Sequence, residues 1–191
     1  MPRASESSKE KGQDALALLM ADHKKVKALF KEFEKLKEEE DADEQKADLA
    51  EQICNELTVH AQIEEEIFYP AARDAIDDTD LLDEAEVEHA SAKELIAQLQ
   101  EMTPEDALFD AKVTVLGEYI DHHVKEEEGE MFKKVRSADL DTEALGMELM
   151  ERKMELRAEL GMDEEEGEEM EQAAPASHAA KKSTSGARKS R

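Results

Sequence analysis

The chain is poor in the residues that most folds depend on. It has no tryptophan, two tyrosines and five phenylalanines, one cysteine, four prolines and seven glycines in 191 residues. So few aromatics leave no stacking platform for single-stranded nucleic acid. A lone Cys54 excludes an internal disulfide and gives no sign of an oxidising compartment. Scarce Gly and Pro leave few sites for tight turns, so the chain should be mostly helical. No stretch approaches the ~18 consecutive apolar residues of a membrane span. The opening MPRASESSKEKGQD lacks an apolar signal core, and a cytoplasmic protein is expected. Positive charge is also short: 25 Lys and Arg face 51 Asp and Glu, a net charge of −26. A phosphate backbone or an anionic membrane rewards the opposite sign, so neither is an expected partner.

Charge is what the chain has in excess. Charged residues reach 40% and apolar ones 39%, enough for one core. Residues 1–13 are small, polar and charged, and read as a disordered arm. From Asp14, a natural cap, Leu16, Leu19, His23, Val26, Phe30 and Phe33 recur every three or four residues and predict a helix to about Glu40. A second helix is expected from about Asp43 to Ala75, with Ile53, Leu57, His60, Ile63, Glu64 and Ile67 inward and Pro70 kinking or weakening it. A third fits 78–101 through Leu82, His89, Ala92, Ile96 and Leu99. TPED at 103–106 reads as a start signal for a fourth, running to about Arg136 through Leu116, Ile120, His123, Glu127 and Met131.

Four long helices with short connections predict an all-α, up-down-up-down four-helix bundle over 14–136. A further helix fits 141–160 within an appended segment 137–161. It is capped by Asp141 or Thr142, and Leu145, Leu149, Leu156 and Leu160 could pack on the bundle or serve association. Residues 162–191, acidic and then basic, read as a disordered tail, and His178 within it needs no function.

The bundle sequence repeats itself. His23 and His89 lie 66 residues apart, and His60 and His123 lie 63 apart. The offsets around His23 that hold Leu16, Val26, Phe30 and Phe33 hold Leu82, Ala92, Ile96 and Leu99 around His89. Those around His60 that hold Ile53, Leu57, Glu64 and Phe68 hold Leu116, Ile120, Glu127 and Met131 around His123. An acid precedes the first His of each half, Asp22 and Glu88.

Each helix thus sets one imidazole in its apolar stripe. The second and fourth add a carboxylate one turn on, on the same face. His60 with Glu64, and His123 with Glu127, form two clamps facing the axis beside His23 and His89. Any one such His is ordinarily a partly buried core residue. Two buried carboxylates without cations would cost several kcal/mol, so the set taken together indicates metal. Six ligands exceed the four of a structural zinc and suit two ions bridged by carboxylates, iron best, with manganese or zinc as substitutes. A ferritin-like site needs two Glu-x-x-His motifs, and only Glu86–His89 supplies one.

DHKKVKALF at 22–30, HAQIEEEIFYP at 60–70, EHASAKELI at 88–96 and HVKEEEGEMF at 123–132 carry a resemblance to the hemerythrin-like HHE cation-binding family. It implies a four-helix bundle around a non-haem di-iron centre, oxo- or hydroxo-bridged. It also implies His23, His60, Glu64, His89, His123 and Glu127 as metal ligands, with the two Glu bridging. The oxygen-carrying members place another His one turn after the third-helix His, where this chain has Lys93; the preceding turn offers Ala85. An iron with open positions is then expected, and ligands such as O2, NO or peroxide. A peroxidase- or catalase-like enzyme and an iron-storage or iron-handling protein are the alternatives, and a plain interaction protein is a fourth. His122 has a five-residue step to Glu127, but its turn-related neighbours are Val115 and Tyr119, so His123 is expected to be the inward residue. Tyr119 could donate to a ligand on the metal, although a bundle-edge role suits it better. Glu86 suits a solvated face, and Cys54 a small core gap.

Overall fold

The computed structural model describes residues 14–162. The expected arm, acidic block and basic tail lie outside them. The described chain is all helical: α1 (Ala15–Leu36), α2 (Asp43–Ile63), a π-helical turn (Glu64–Phe68), α3 (Tyr69–Ala75), α4 (Asp80–Gln100), α5 (Phe109–Glu126), a second π-helical turn (Glu127–Met131), α6 (Phe132–Ser137) and α7 (Thr142–Glu159). α1 packs on α2 and α5, and α4 packs on α5 and α2. With their continuations, these form an up-down-up-down four-helix bundle, and α7 lies against α1 and α2 as a fifth helix. Gly117 allows one close approach: a Cβ there would stand 3.1 Å from the Phe30 ring.

Caps and punctuation decide the ends. Asp14 accepts from the Ala17 N–H at the start of α1, and Asp141 accepts from the Ala144 N–H at the start of α7. Gly161 takes a left-handed φ of 66° just after α7. The TPED signal is spent differently from expectation. The Asp106 carboxylate turns back to accept from the Thr103 N–H at 2.8 Å, closing a local turn, and α5 begins only at Phe109, where burial begins.

Pro70 does not break its helix. The preceding turn widens instead, and the Tyr69 N–H reaches the Glu64 carbonyl. Pro70 then occupies the first turn of α3, where its missing N–H is harmless. The extra residue in the turn advances the buried face. Ile67, expected inward, is only partly buried, while Phe68, Tyr69 and Ala72 fill the core.

The interior has two apolar layers. One holds Leu16, Leu19, Ile63, Phe68, Leu82 and Phe132, extended by Leu145, Leu149 and Leu156 of α7. The other holds Val26, Phe33, Ile53, Ile96, Phe109 and Leu116. Leu160 is 44% exposed and takes no part. No helix of the described residues is long and apolar enough to cross a membrane.

Candidate metal centre

A polar group lies buried between these layers: His23, His60, Glu64, His89, His123 and Glu127. Each comes from a stripe position of α1, α2, α4 or α5, or from the first residue of a π-turn. The imidazoles form two pairs. His23 Nε2 stands 3.1 Å from His60 Nε2, and His89 Nε2 stands 3.2 Å from His123 Nε2.

The carboxylates span both pairs. Glu64 Oε1 lies 3.2 Å from His60 Nε2, and its Oε2 lies 3.4 Å from His89 Nε2. Glu127 Oε2 lies 3.2 Å from His23 Nε2 and 3.8 Å from His123 Nε2. Two sets of ligand atoms result, each within 4.8 Å: His23, His60, Glu64 and Glu127, and Glu64, His89 and His123. His122 is 65% exposed and belongs to a separate surface trio with Glu88 and Glu126.

The other face of every ring meets an acid from a different helix. Glu128 stands at His23 Nδ1 (2.8 Å), Asp22 at His60 Nδ1 (3.5 Å), Glu65 at His89 Nδ1 (3.0 Å) and Glu88 at His123 Nδ1 (2.8 Å). At His23, His89 and His123 the carboxylate is hydrogen-bonded, which fixes the proton on Nδ1 and directs the Nε2 lone pair inward; at His60 the acid lies nearby without a hydrogen bond. Two such lone pairs 3.1 Å apart repel unless a proton or cation lies between them. The four oxygens of Glu64 and Glu127 are buried and make no hydrogen bond. Orphaned oxygens and converging lone pairs are what a cation repairs, and the donor set fits metal.

The electrostatics agree. Burial, then the charge of Glu127, pushes the Glu64 carboxyl well above the usual range. Burial acts on Glu127 in the same sense, but the His23 ring 3.2 Å away and the charges of His123 and His23 bring it down. Burial, then the charge of His23, depresses His60 to about 4, so its ring is neutral and free to ligate at neutral pH.

Not every candidate near the centre in sequence reaches it. Tyr119 is 50% exposed at the outer edge of the α5 stripe, away from the centre. Tyr69, which phase alone would not select, is buried with its hydroxyl 3.2 Å from His89 Nε2. Its signal was its place after HAQIEEEIF, read through one extra residue in the turn. Lys93 is 49% exposed and its ammonium pairs with Glu65. Glu86 is exposed and bonded to Arg73, and Cys54 is buried, its thiol pushed up to about 11 by burial.

The placement gives a direct test of the His-His pair. His123→Ala should lose at least one metal by elemental analysis and loosen the bundle, whereas His122→Ala should keep both its metal and its melting temperature. The reversed result would make the five-residue step from His122 to Glu127 the operative one.

Comparison with known proteins agrees with the geometry. A DNA nickase of Nostoc sp. is 29% identical over 146 residues, which is 75% of this chain but only 40% of that protein. A solved hemerythrin HHE cation-binding domain-containing protein from Mycobacterium kansasii superposes with a TM-score of 0.64. The match has 23% identity over 77% of this chain and 89% of that one. The family model of the hemerythrin HHE cation-binding domain matches residues 14–135, the segment that supplies all six converging side chains, and the chain belongs to that family.

Proposed function

We propose that the protein holds a non-haem di-iron centre on His23, His60, Glu64, His89, His123 and Glu127 and uses it to bind or sense a small diatomic molecule. One observation carries the reading: each buried carboxylate reaches from one imidazole pair to the other, as bridging ligands between two ions must. Bound iron supplies Lewis acidity and one-electron chemistry. The chain supplies six donors, four orienting acids and dry walls.

The choice of ligand rests on the space beside the rings. A cavity of about 20 Å³ borders the four histidines, room for roughly one water-sized molecule. Val26, Leu57, Ala92, Ile96, Ile120 and Val124 form its apolar wall, and Lys93 and Ala61 complete it. Such a chamber suits O2 or NO. Peroxide, which needs hydrogen-bond partners, gains less from these walls. The nickase activity of the Nostoc relative is not carried over: that protein is covered over 40% of its length, and a net charge of −26 repels a phosphate backbone.

Protein loaded anaerobically with ferrous iron should hold about two irons per chain on its bridged donor set and should change its optical spectrum on addition of NO. Ala92→Leu, which fills the chamber from its wall, should retain iron and weaken NO binding by at least about tenfold, a 1.4 kcal/mol loss. Iron near zero or one per chain would end the di-iron reading. Unchanged NO affinity in Ala92→Leu would remove the chamber from it.

A further inference from the structure

The fifth helix reaches the centre through a single lysine. α7 lies beyond the segment matched by the family model, yet it packs on α1 and α2 through Leu145, Leu149 and Leu156. Between these leucines, Lys153 turns inward with 15% of its side chain exposed, and its ammonium binds Asp22 Oδ1. The other oxygen of the same carboxylate, Oδ2, faces His60 Nδ1 at 3.5 Å. Asp22 is thus fixed on one side by α7, while its other oxygen faces the imidazole of α2 without closing a hydrogen bond.

The duplicated half of the bundle is built differently. Glu88 precedes His89 as Asp22 precedes His23, and it faces His123 Nδ1 at 2.8 Å. Its second oxygen meets the exposed imidazole of His122 at 3.5 Å and, among the described residues, no ammonium from another helix. An acid bonded at 2.8 Å orients its ring directly. One at 3.5 Å, on a carboxylate that can rotate, needs its other oxygen fixed to do the same.

We propose that Lys153 is a positioning residue for the metal centre: by fixing Asp22 it holds the His60 ring in ligating orientation, and so α7 sets the affinity of the half-site that contains His23 and His60. The inference rests on the two-metal reading above. α7 makes a second clamp that serves as a control. Arg157 Nη1 binds the buried Glu56 at 2.6 Å, and Glu56, which also binds Lys25, is not one of the four acids at the rings. Losing Arg157 should loosen α7 while the Lys153–Asp22 bond remains available.

The sign of the effect separates orientation from charge. A lysine near a dication repels it, so charge alone makes removal of Lys153 tighten metal binding. Orientation makes removal weaken it, and mutation of such outer partners typically costs 10–100-fold.

The test is cobalt titration of the full-length chain, followed by visible ligand-field absorption and calorimetry, for wild type, Lys153→Met, Lys153→Arg and Arg157→Met. Wild type should take up two cobalt ions. Lys153→Met should weaken one of the two sites about 10–100-fold, with altered ligand-field bands, and leave the other unchanged. Lys153→Arg should restore most of the lost affinity. Arg157→Met should lower the melting temperature and keep both affinities. Wild-type or tighter binding in Lys153→Met overturns the proposal. So does an equal loss in Arg157→Met, because α7 would then act by docking alone. Fewer than two cobalt ions in wild type overturns the two-metal reading beneath it.

Discussion

Metal-free Glu64→Gln protein is expected to be more stable than metal-free wild type, and to lose most of the stability that iron confers. Glu64 is fully buried, neither of its oxygens makes a hydrogen bond, and Glu127 lies beside it. A carboxyl that must take up a proton on folding costs stability, about 1.4 kcal/mol per pH unit above its ordinary value, and Gln, neutral in both states, escapes that cost. The sign with pH follows from the raised Glu64 carboxyl. Above the ordinary value of 4.5 the unfolded chain has lost this proton while the folded chain still holds it. That contribution is therefore full below 4.5 and drains away as pH rises. The advantage of Gln over Glu should grow from pH 5 to pH 8. Metal inverts the order, because a bound cation replaces the proton. At free iron 100 times the dissociation constant, each wild-type site gains about 2.7 kcal/mol. At about 2–4 °C per kcal/mol, that is a rise of roughly 5–10 °C per site. Calorimetric melts of both proteins, apo and loaded, at pH 5 and pH 8 measure all four terms. An apo Glu64→Gln protein less stable than apo wild type, or equal gains from iron in both, would show that Glu64 is already satisfied by its neighbours.

How far the centre could be read from sequence depends on which contacts run along a helix and which run between helices. His60 with Glu64 and His123 with Glu127 are i,i+4 pairs, so the helical period exposes them at once. The duplication then brings in His23 and His89. The acids behind the rings are invisible to that logic. Asp22 and Glu88 were legible as repeated residues, but each serves a histidine on another helix, as do Glu65 and Glu128. No local spacing encodes such a pairing. Tyr119, by contrast, lies at the bundle edge that suited it better. It shares a turn with His123, yet the buried arc runs through Leu116, Ile120, His123, Val124 and Glu127 and leaves it outside. The TPED signal has the right chemistry for a helix start, but its acid closed a turn on Thr103, and tertiary burial moved the start to Phe109.

The largest gap in the sequence reading is also the basis of the severest expected loss of function. Both π-turns open on a converging carboxylate, Glu64 and Glu127, and in each the N–H five residues later binds that residue's carbonyl. One extra residue per turn rotates everything downstream by about 100° relative to an unbroken α-helix. That rotation lets a single helix present His60 and Glu64 to the metal layer and then Phe68, Tyr69 and Ala72 to the apolar layer below it. A further residue in this turn makes these two demands incompatible, because it adds about another 100°. If α2 then keeps its phase, Phe68 and Tyr69 leave the core, a loss of about 3–5 kcal/mol for each buried aromatic. If α3 keeps its phase, His60 and Glu64 turn away from the axis and the metal set falls apart. An Ala inserted between Glu66 and Ile67 should therefore leave less than about one iron per chain and lower the urea midpoint markedly. Deleting Glu66 is the converse: the turn closes as α-helix, both faces keep their phase, and iron should be retained. Pro70 would then sit inside an α-helix, a cost of about 3 kcal/mol that Pro70→Ala should recover. An Ala inserted after Glu39, in the turn after α1, lengthens the chain equally and should leave iron content unchanged, because loop length is cheap to alter. If the insertion after Glu66 keeps full iron and the wild-type urea midpoint, the wide turn does not set the phase of the centre, and another feature of the helix must.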